Sequence, residues 1–416
     1  MTSRNSIWSQ EIKNDVSGKF VGFLISPILG FLFALNRLNT KSTYVIFFLF
    51  AVFFGLNFTT SIGRDDTHQG DAAAYRQKYE WDKELTEGGL DDVFYKFASF
   101  QSESERDIYI PVMSYITARI SDNYHIFFAL LACVFAYFQL KSLRFFTIEL
   151  PHKNTFFIFI LLFMFAVTNS IFNINGARFN TASWVAVYSM FQIYLNEKKK
   201  YIFLAAITPM IHASFWVFLG ILLIHYFLGQ KIRFWKIAFF LSFLLSSLSM
   251  QLVGNVGNHL PDSLQFLVNR YLENERTVQN NLYQVIRRGF AYGSSVLITY
   301  MIYLFMKNER IILNNTKTKG LYPLLLVWMT IVNFLMPVPS LGGRYLMLAY
   351  PFIAYIWYIT FEKVSRYRKV LQWYPLVSLM FVYELAASYL EGSVPVSFYF
   401  TSPLYQLYKY AILGVE

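Results

Sequence analysis

Four places in the chain set arginine at the edge of an apolar run, beside glycine, proline or asparagine. They are Arg64 in TTSIGRDD, Arg178 in SIFNINGARFNTASW, the pair Arg287 and Arg288 in NLYQVIRRGFAYGSS, and Arg344 in MPVPSLGGRYLMLAYPF. A guanidinium binds phosphate through two parallel N–H groups, keeps its charge and tolerates partial burial better than an ammonium does. Arg178, Arg287 and Arg344 also stand near expected helix N-termini, where free N–H groups and the helix dipole favour an anion. The expectation is that these arginines converge on an anionic headgroup. The plainer alternative is that each reaches up to lipid phosphates on its own. Every cation at these four boundaries is arginine, whereas the other basic clusters hold lysine at least as often. A solvated anchor has no reason to discriminate.

Groups able to move a proton lie close by in sequence. His212 in PMIHASFW can exchange a proton near neutral pH, or can simply be hydrogen-bonded within a bundle. Asp65, Asp66 and Asp71 precede Tyr75 and Tyr79, which stand one helical turn apart. Carboxylates can deprotonate or bind sugar hydroxyls and tyrosines can stack on sugar faces; the bland alternative is a solvated acidic loop. His212 and Asp71 are therefore the candidate bases, with Asp65, Asp66, Tyr75 and Tyr79 as candidate glycan contacts. His68 and His225 are favoured for neither role. The six histidines form no HxxxH or HxxE pattern, and Cys133 is the only cysteine, so no metal site or disulfide is expected.

The elements that must carry these residues are apolar helices. Hydrophobic residues make up 56% of the 416 and charged residues 15%, against about 25% charged in soluble domains. The apolar residues come in blocks of a length that spans a bilayer as a helix. Expected spans are 20–36, 43–58, 124–140, 155–172, 179–195, 201–212, 213–228, 237–253, 285–306, 321–336, 345–361 and 372–390. The fold expected is all-α: a single polytopic transmembrane bundle over 1–416 with about 10–12 spans. The stretch 201–228, with Pro209 near its middle, is either one long helix or a tight pair. If it doubles back, the short loops on one side hold 19 Lys/Arg and four acids, leaving 17 and 21 for the other side. That asymmetry fits the positive-inside rule and places His212 near the outer turn. It also accounts for the net charge of +11 without nucleic acid. The N-terminal stretch has no long apolar run behind a basic start, so it is not read as a cleaved leader.

Two segments break the rhythm, and both fall on the outer side of this topology. The segment 59–123 holds most of the acids and suits interfacial or re-entrant helices, among them DDVFYKFASF and IYIPVMSYITARI. The segment 254–284 forms a second outer loop. Long ordered loops between membrane helices are more often functional than spacers.

In this order, three stretches resemble EpsG-like proteins: GRDDTHQGDAAAYRQKYEW after the second span, NGARFNTASWVAVYSMFQIYLNEKKKYIFLAAITPMIHASFWVF in the middle, and GGRYLMLAYPF late in the chain. One departure is Phe179, where members carry glutamine after the arginine. EpsG-like proteins are similar in architecture to the Wzy-type polymerases of O-antigen, capsule and exopolysaccharide. The resemblance implies a glycosyltransferase of the bacterial inner membrane, acting at the outer face without nucleotide, metal or other cofactor. Its substrate would be oligosaccharide repeat units on undecaprenyl diphosphate, moved onto an acceptor sugar hydroxyl. Membrane lipid, a chain-length regulator and export machinery are the partners so implied. In that reading Arg178, Arg287, Arg288, Arg344 and Arg64 hold the diphosphate. The competing readings are a multi-span glycosyltransferase using a polyprenyl-phosphate sugar, with Asp65 and Asp66 as its acids, and a transporter of lipid-linked oligosaccharide. The transporter would need charges lining a path through the bilayer, for which Glu384 is the main candidate.

Overall fold

The computed structural model describes Trp8 and residues 13–60, 71–84, 107–150, 155–167, 169–249, 282–338, 341–386 and 394–414, with a few single residues near 90–95 and 251–259. Every regular element among the described residues is helical. Arg64, Asp65, Asp66, His68 and most of the expected helix in DDVFYKFASF lie outside the described residues, as does most of the 254–284 loop.

The chain opens with α1 (Lys13–Ile25), α2 (Pro27–Leu35) and α3 (Lys41–Leu56). The expected span 20–36 is instead two short helices folded against each other. Ser26 accepts a hydrogen bond from the Leu29 N–H and Pro27 opens α2, so the first helix cannot run on. Gly30 lets the two meet: a Cβ there would stand 2.7 Å from the Phe23 Cα. The acidic segment supplies α4 (Asp71–Glu84) and α5 (Tyr109–Ala118), which pack on each other.

Next come α6 (Tyr124–Thr147), α7 (Phe156–Leu162) with a π-turn after it, and a 3₁₀ turn over Ile171–Gly176 that leads into α8 (Ala177–Tyr194). Helix α6 packs between α3 and α8. Then follow α9 (Tyr201–Ala206), α10 (Thr208–Ile211), α11 (Trp216–Leu228) and α12 (Ile232–Leu245). The stretch 201–228 does double back. Tyr201 meets Tyr188, His212 meets Phe179 a helix length away, and the Tyr194 hydroxyl returns to His225 Nδ1 at 2.7 Å. The reversal falls at His212, whose backbone is extended (φ −153°, ψ 119°).

The second half holds α13 (Leu282–Lys307), α14 (Glu309–Asn314), α15 (Leu321–Leu335) and α16 (Gly342–Phe361). Short helices follow: α17 (Ser365–Leu371), α18 (Tyr374–Val377), α19 (Leu379–Glu384), α20 (Ser397–Phe400) and α21 (Pro403–Gln406). Almost all of α8, α15 and α16 is buried, with Phe191 of α8 packed on Phe352 and Tyr355 of α16. Helices that are apolar on every side are those of a membrane protein or a very large core, and the chain's outer helices remain apolar where exposed, as Phe203, Leu223, Phe227 and Leu244 show. Three helical stretches are long and apolar enough to cross a bilayer: Tyr124–Thr147, Phe156–Tyr194 (broken before its 3₁₀ turn) and Val285–Lys307. Shorter apolar helices accompany them at Lys41–Leu56, Tyr201–Ile211, Ala213–Leu228 and Leu321–Leu335. This is a membrane protein.

Candidate functional site

Arg178 stands at the second position of α8, and the residues before it fix where it points. Asn173 interrupts the 3₁₀ turn with non-helical backbone angles, and its carbonyl accepts from Asn180 Nδ2 at 2.8 Å. Asn169 accepts from the Trp184 indole at 2.9 Å. These asparagines stitch the turn to the first two turns of α8 by satisfying backbone groups, so they hold the arginine rather than the ligand.

Three side chains from the acidic segment meet the Arg178 guanidinium. Nε donates to the Tyr75 hydroxyl at 3.0 Å, Nη1 to Asp107 Oδ2 at 3.1 Å, and Nη2 lies 3.5 Å from Asp71 Oδ2. Asp107 is closed off, its side chain 4% exposed, while Asp71 is 41% exposed and Arg178 27%. Asp71 opens α4, where a carboxylate also suits the helix dipole. Burial pushes the Tyr75 phenol well above its ordinary range, with the Arg178 charge opposing, so Tyr75 keeps its proton and is not a base at neutral pH.

Asp107 was not among the residues singled out from sequence. It lies in a charged stretch, ESERDIYI, where nothing in type or spacing separates it from its neighbours. Its place comes from the next residue: the Ile108 N–H donates to the Met210 carbonyl at 2.9 Å, pinning the start of α5 to α10.

That bond brings in the His212 turn. His212 Nδ1 accepts from the Ser214 backbone N–H at 3.2 Å and lies 2.8 Å from the Ser214 hydroxyl. A nitrogen accepting a backbone N–H carries no proton, so the neutral ring holds its proton on Nε2. His212 therefore presents a donor. Its ring stands nearly perpendicular to that of Phe179, 5.4 Å between centroids, and the charges of Arg178 and Arg344 both act on it. The Arg344 guanidinium lies over the same Phe179 ring, 5.3 Å from its centre. Among the described residues it has no carboxylate partner. Phe179, the departure from the expected glutamine, is thus a platform shared by His212 and Arg344.

Helix α16 is held there by its own neighbours. The Tyr345 hydroxyl donates to the Ser214 carbonyl at 2.8 Å, and the Trp328 indole donates to the Tyr345 carbonyl at 2.9 Å. Gly342 lets its first turn abut the end of α15, since a Cβ would run into the Met336 backbone.

The structure thus gathers Arg178, Arg344, His212, Asp71 and Tyr75, residues from four separate stretches. A model of the EpsG family matches residues 42–407, nearly the whole chain and every part of this cluster. The chain belongs to the EpsG family. No curated protein and no solved structure matches it. Membership of the EpsG family points to a membrane polysaccharide polymerase-like function of glycosyltransferase type, with a lipid-linked sugar as substrate.

Other expected residues go elsewhere. Arg287 Nε pairs with Glu384 Oε1 at 2.6 Å, joined by the Tyr283 hydroxyl at 3.1 Å. Its helix, α13, packs on α14, α18 and α19. Arg288, one residue on, is exposed on the same helix. Glu384, considered as a charge on a transport path, is committed to this pair. Tyr79 donates to the Ser121 carbonyl at 2.5 Å and stacks on Phe127, which seats α4 on α6. Among the described residues no group of three His, Cys, Asp or Glu side chains could hold a metal ion.

Proposed function

We propose that this protein polymerises lipid-linked oligosaccharide repeat units at the outer face of the bacterial inner membrane. It would move a growing glycan from undecaprenyl diphosphate to an acceptor sugar hydroxyl. The observation that carries the reading is Arg344: a half-buried guanidinium without a carboxylate partner among the described residues, held on Phe179 beside the His212 donor. Two carboxylates already meet the Arg178 charge, so Arg344 is the principal cation for the diphosphate and Arg178 organises the acids.

In the reaction the acceptor oxygen attacks the anomeric carbon, the bond from that carbon to the phosphate oxygen breaks, and the electron pair leaves with the lipid diphosphate. Negative charge grows on the departing oxygen, where Arg344 and the His212 Nε2–H stabilise it. The acceptor proton goes to a carboxylate. Asp71 suits this better than His212, because it is the exposed acid and the His212 Nε2 already carries a proton. Tyr75 and Asp107 hold Arg178, and through it Asp71, in register. The double-backed 201–228 stretch puts His212 and Arg178 at the same end of the bundle, as an outer-face site requires.

The test is Arg344→Lys in cells. Lysine keeps the charge but not the planar fork, so polymer should vanish while the protein stays in the membrane and unpolymerised lipid-linked repeats accumulate. Normal-length polysaccharide from the Lys variant refutes the diphosphate role.

A further inference from the structure

A second feature lies at the opposite end of α6. Asn123, which caps α6, is next to the Ser121 carbonyl that binds Tyr79 of the acidic segment, whereas Arg144 is 21 residues further along the chain. At the helical rise that is about 30 Å, the thickness of a bilayer's hydrocarbon core. Here α3 and α6 are packed on each other, the Tyr44 hydroxyl bonded to Thr147, and the outer side of their contact is left uncovered. Along that side runs an open groove of about 410 Å³, with Trp8 at its mouth and residues of both helices as its walls.

The two walls are helical stripes. On α3 the lining residues fall at 41, 44, 45, 48 and 49, and on α6 at 137, 140, 141 and 144. Each stripe is cationic at one end and apolar along the rest: Lys41 leads to Val45, Phe48 and Leu49, and Arg144 and Lys141 lead back to Leu140 and Tyr137. Lys41, Lys141 and Arg144 have no carboxylate partner among the described residues. The Arg144 guanidinium lies 4.0 Å from the centre of the Trp8 ring, which itself meets Tyr44 edge-on at 5.0 Å. Stacking on one face leaves the guanidinium's N–H edge available. The Lys141 ammonium lies 5.4 Å from the Tyr137 ring centre.

We propose that this groove is a binding site for an anionic phospholipid of the membrane leaflet opposite the polymerising site. The phosphodiester sits among Lys41, Lys141 and Arg144, and an acyl chain lies along Val45, Phe48, Leu49 and Leu140. Three like charges around one groove repel each other, and a phosphate removes that cost. An acyl chain covers apolar wall that would otherwise be bare. Trp8 and Tyr44, apolar in body and polar at one edge, stand at the level where headgroups meet chains. A soluble anion explains the cations but not the apolar stripes, and a neutral lipid explains the stripes but not the cations. Basic pockets between membrane helices are a recurrent way of holding acidic lipids.

The test is native mass spectrometry of the full-length protein in detergent, titrated with phosphatidylglycerol and, separately, with phosphatidylcholine of the same acyl chains. The proposal expects retention of phosphatidylglycerol over phosphatidylcholine. The triple variant Lys41→Gln, Lys141→Gln, Arg144→Gln should lose the preference by roughly 100-fold, about fivefold for each cation. Single Lys141→Gln keeps the test open if the triple variant does not fold, and should lose roughly fivefold. Equal binding of the two lipids to the wild type overturns the proposal. So does a folded triple variant that keeps the wild-type preference. Displacement of the lipid by millimolar glycerol phosphate as readily as by phosphatidylglycerol identifies a soluble-anion site and overturns it as well. None of these outcomes depends on the polymerising reaction, so the two proposals stand or fall separately.

Discussion

The contact most open to a graded test is the one between Asp107 and Arg178. Asp107 is shut away from solvent and accepts Nη1 at 3.1 Å, while Tyr75 and Asp71 hold the other two nitrogens. A hydrogen bond to a charged group contributes about 1.5–3 kcal/mol and a neutral one about 0.5–1.5. Asp107→Asn keeps an oxygen at the same place and loses only the charge. The guanidinium stays charged, so both bonds fall within the range for charged groups and the cost is the spread of that range, about 1–1.5 kcal/mol, or about 5- to 10-fold in rate if the reaction needs Arg178 in place. Asp107→Ala removes the whole bond and leaves a partly buried guanidinium N–H facing a gap. That should cost about 2–4 kcal/mol, or about 30- to 1,000-fold. The assay is the initial rate of polymer formation from purified lipid-linked repeat units, with the protein in nanodiscs and normalised to the folded fraction. The graded order, wild type above Asn above Ala, is what a positioning role demands. Were Asp107 itself to take the acceptor proton, Asn would be as inactive as Ala, because neither can accept it. Equal, deep losses for the two variants therefore refute the positioning argument. Rates for both within about twofold of wild type refute any part for Asp107 at all.

Tyr75→Phe removes the acceptor from Arg178 Nε and should lower the polymerisation rate about 3- to 10-fold with unchanged protein level by immunoblot. His212→Gln keeps a donor and should retain activity within about tenfold of wild type, while His212→Ala should lose about 100-fold or more in the same rate assay; equal inactivity of both would make His212 a proton carrier instead. Tyr79→Phe deletes only the bond to the Ser121 carbonyl, so it should lower Tm by about 1–2 °C in a thermal-shift measurement and leave glycan length as it was. Arg287→Gln breaks a half-exposed pair with Glu384 and should leave the polymer ladder unchanged on a gel; a loss of polymer would bring α13 into the reaction.

Much of this molecule can be read along the chain because the bilayer imposes a one-dimensional rule. A backbone in hydrocarbon must be helical, and a helix that crosses must be apolar for about 20 residues. The expected blocks 124–140, 321–336 and 345–361 all fall on helices, of which Tyr124–Thr147 is long and apolar enough to cross, and the basic loops around 201–228 favour the reversal that the structure has at His212 over a single long helix. Arginine at a break between apolar blocks likewise marked Arg178 and Arg344 before any contact was known. The 20–36 block misled, since its composition suits a span while Ser26, Pro27 and the Gly30 contact make it turn back.

What hydropathy could not supply is partnership. Asp107 looked like any other acid in ESERDIYI until one backbone bond to Met210 set it beside Arg178, 71 residues away in sequence. Arg287 had the same local signature as Arg178 yet is turned to Glu384 by the packing of α13. The proton on His212 Nε2 follows from a neighbouring N–H that pattern alone does not reveal. Periodicity and composition act over one helix at a time, whereas the identity of a charge's partner depends on which helices touch, and that is fixed only when the whole bundle has packed.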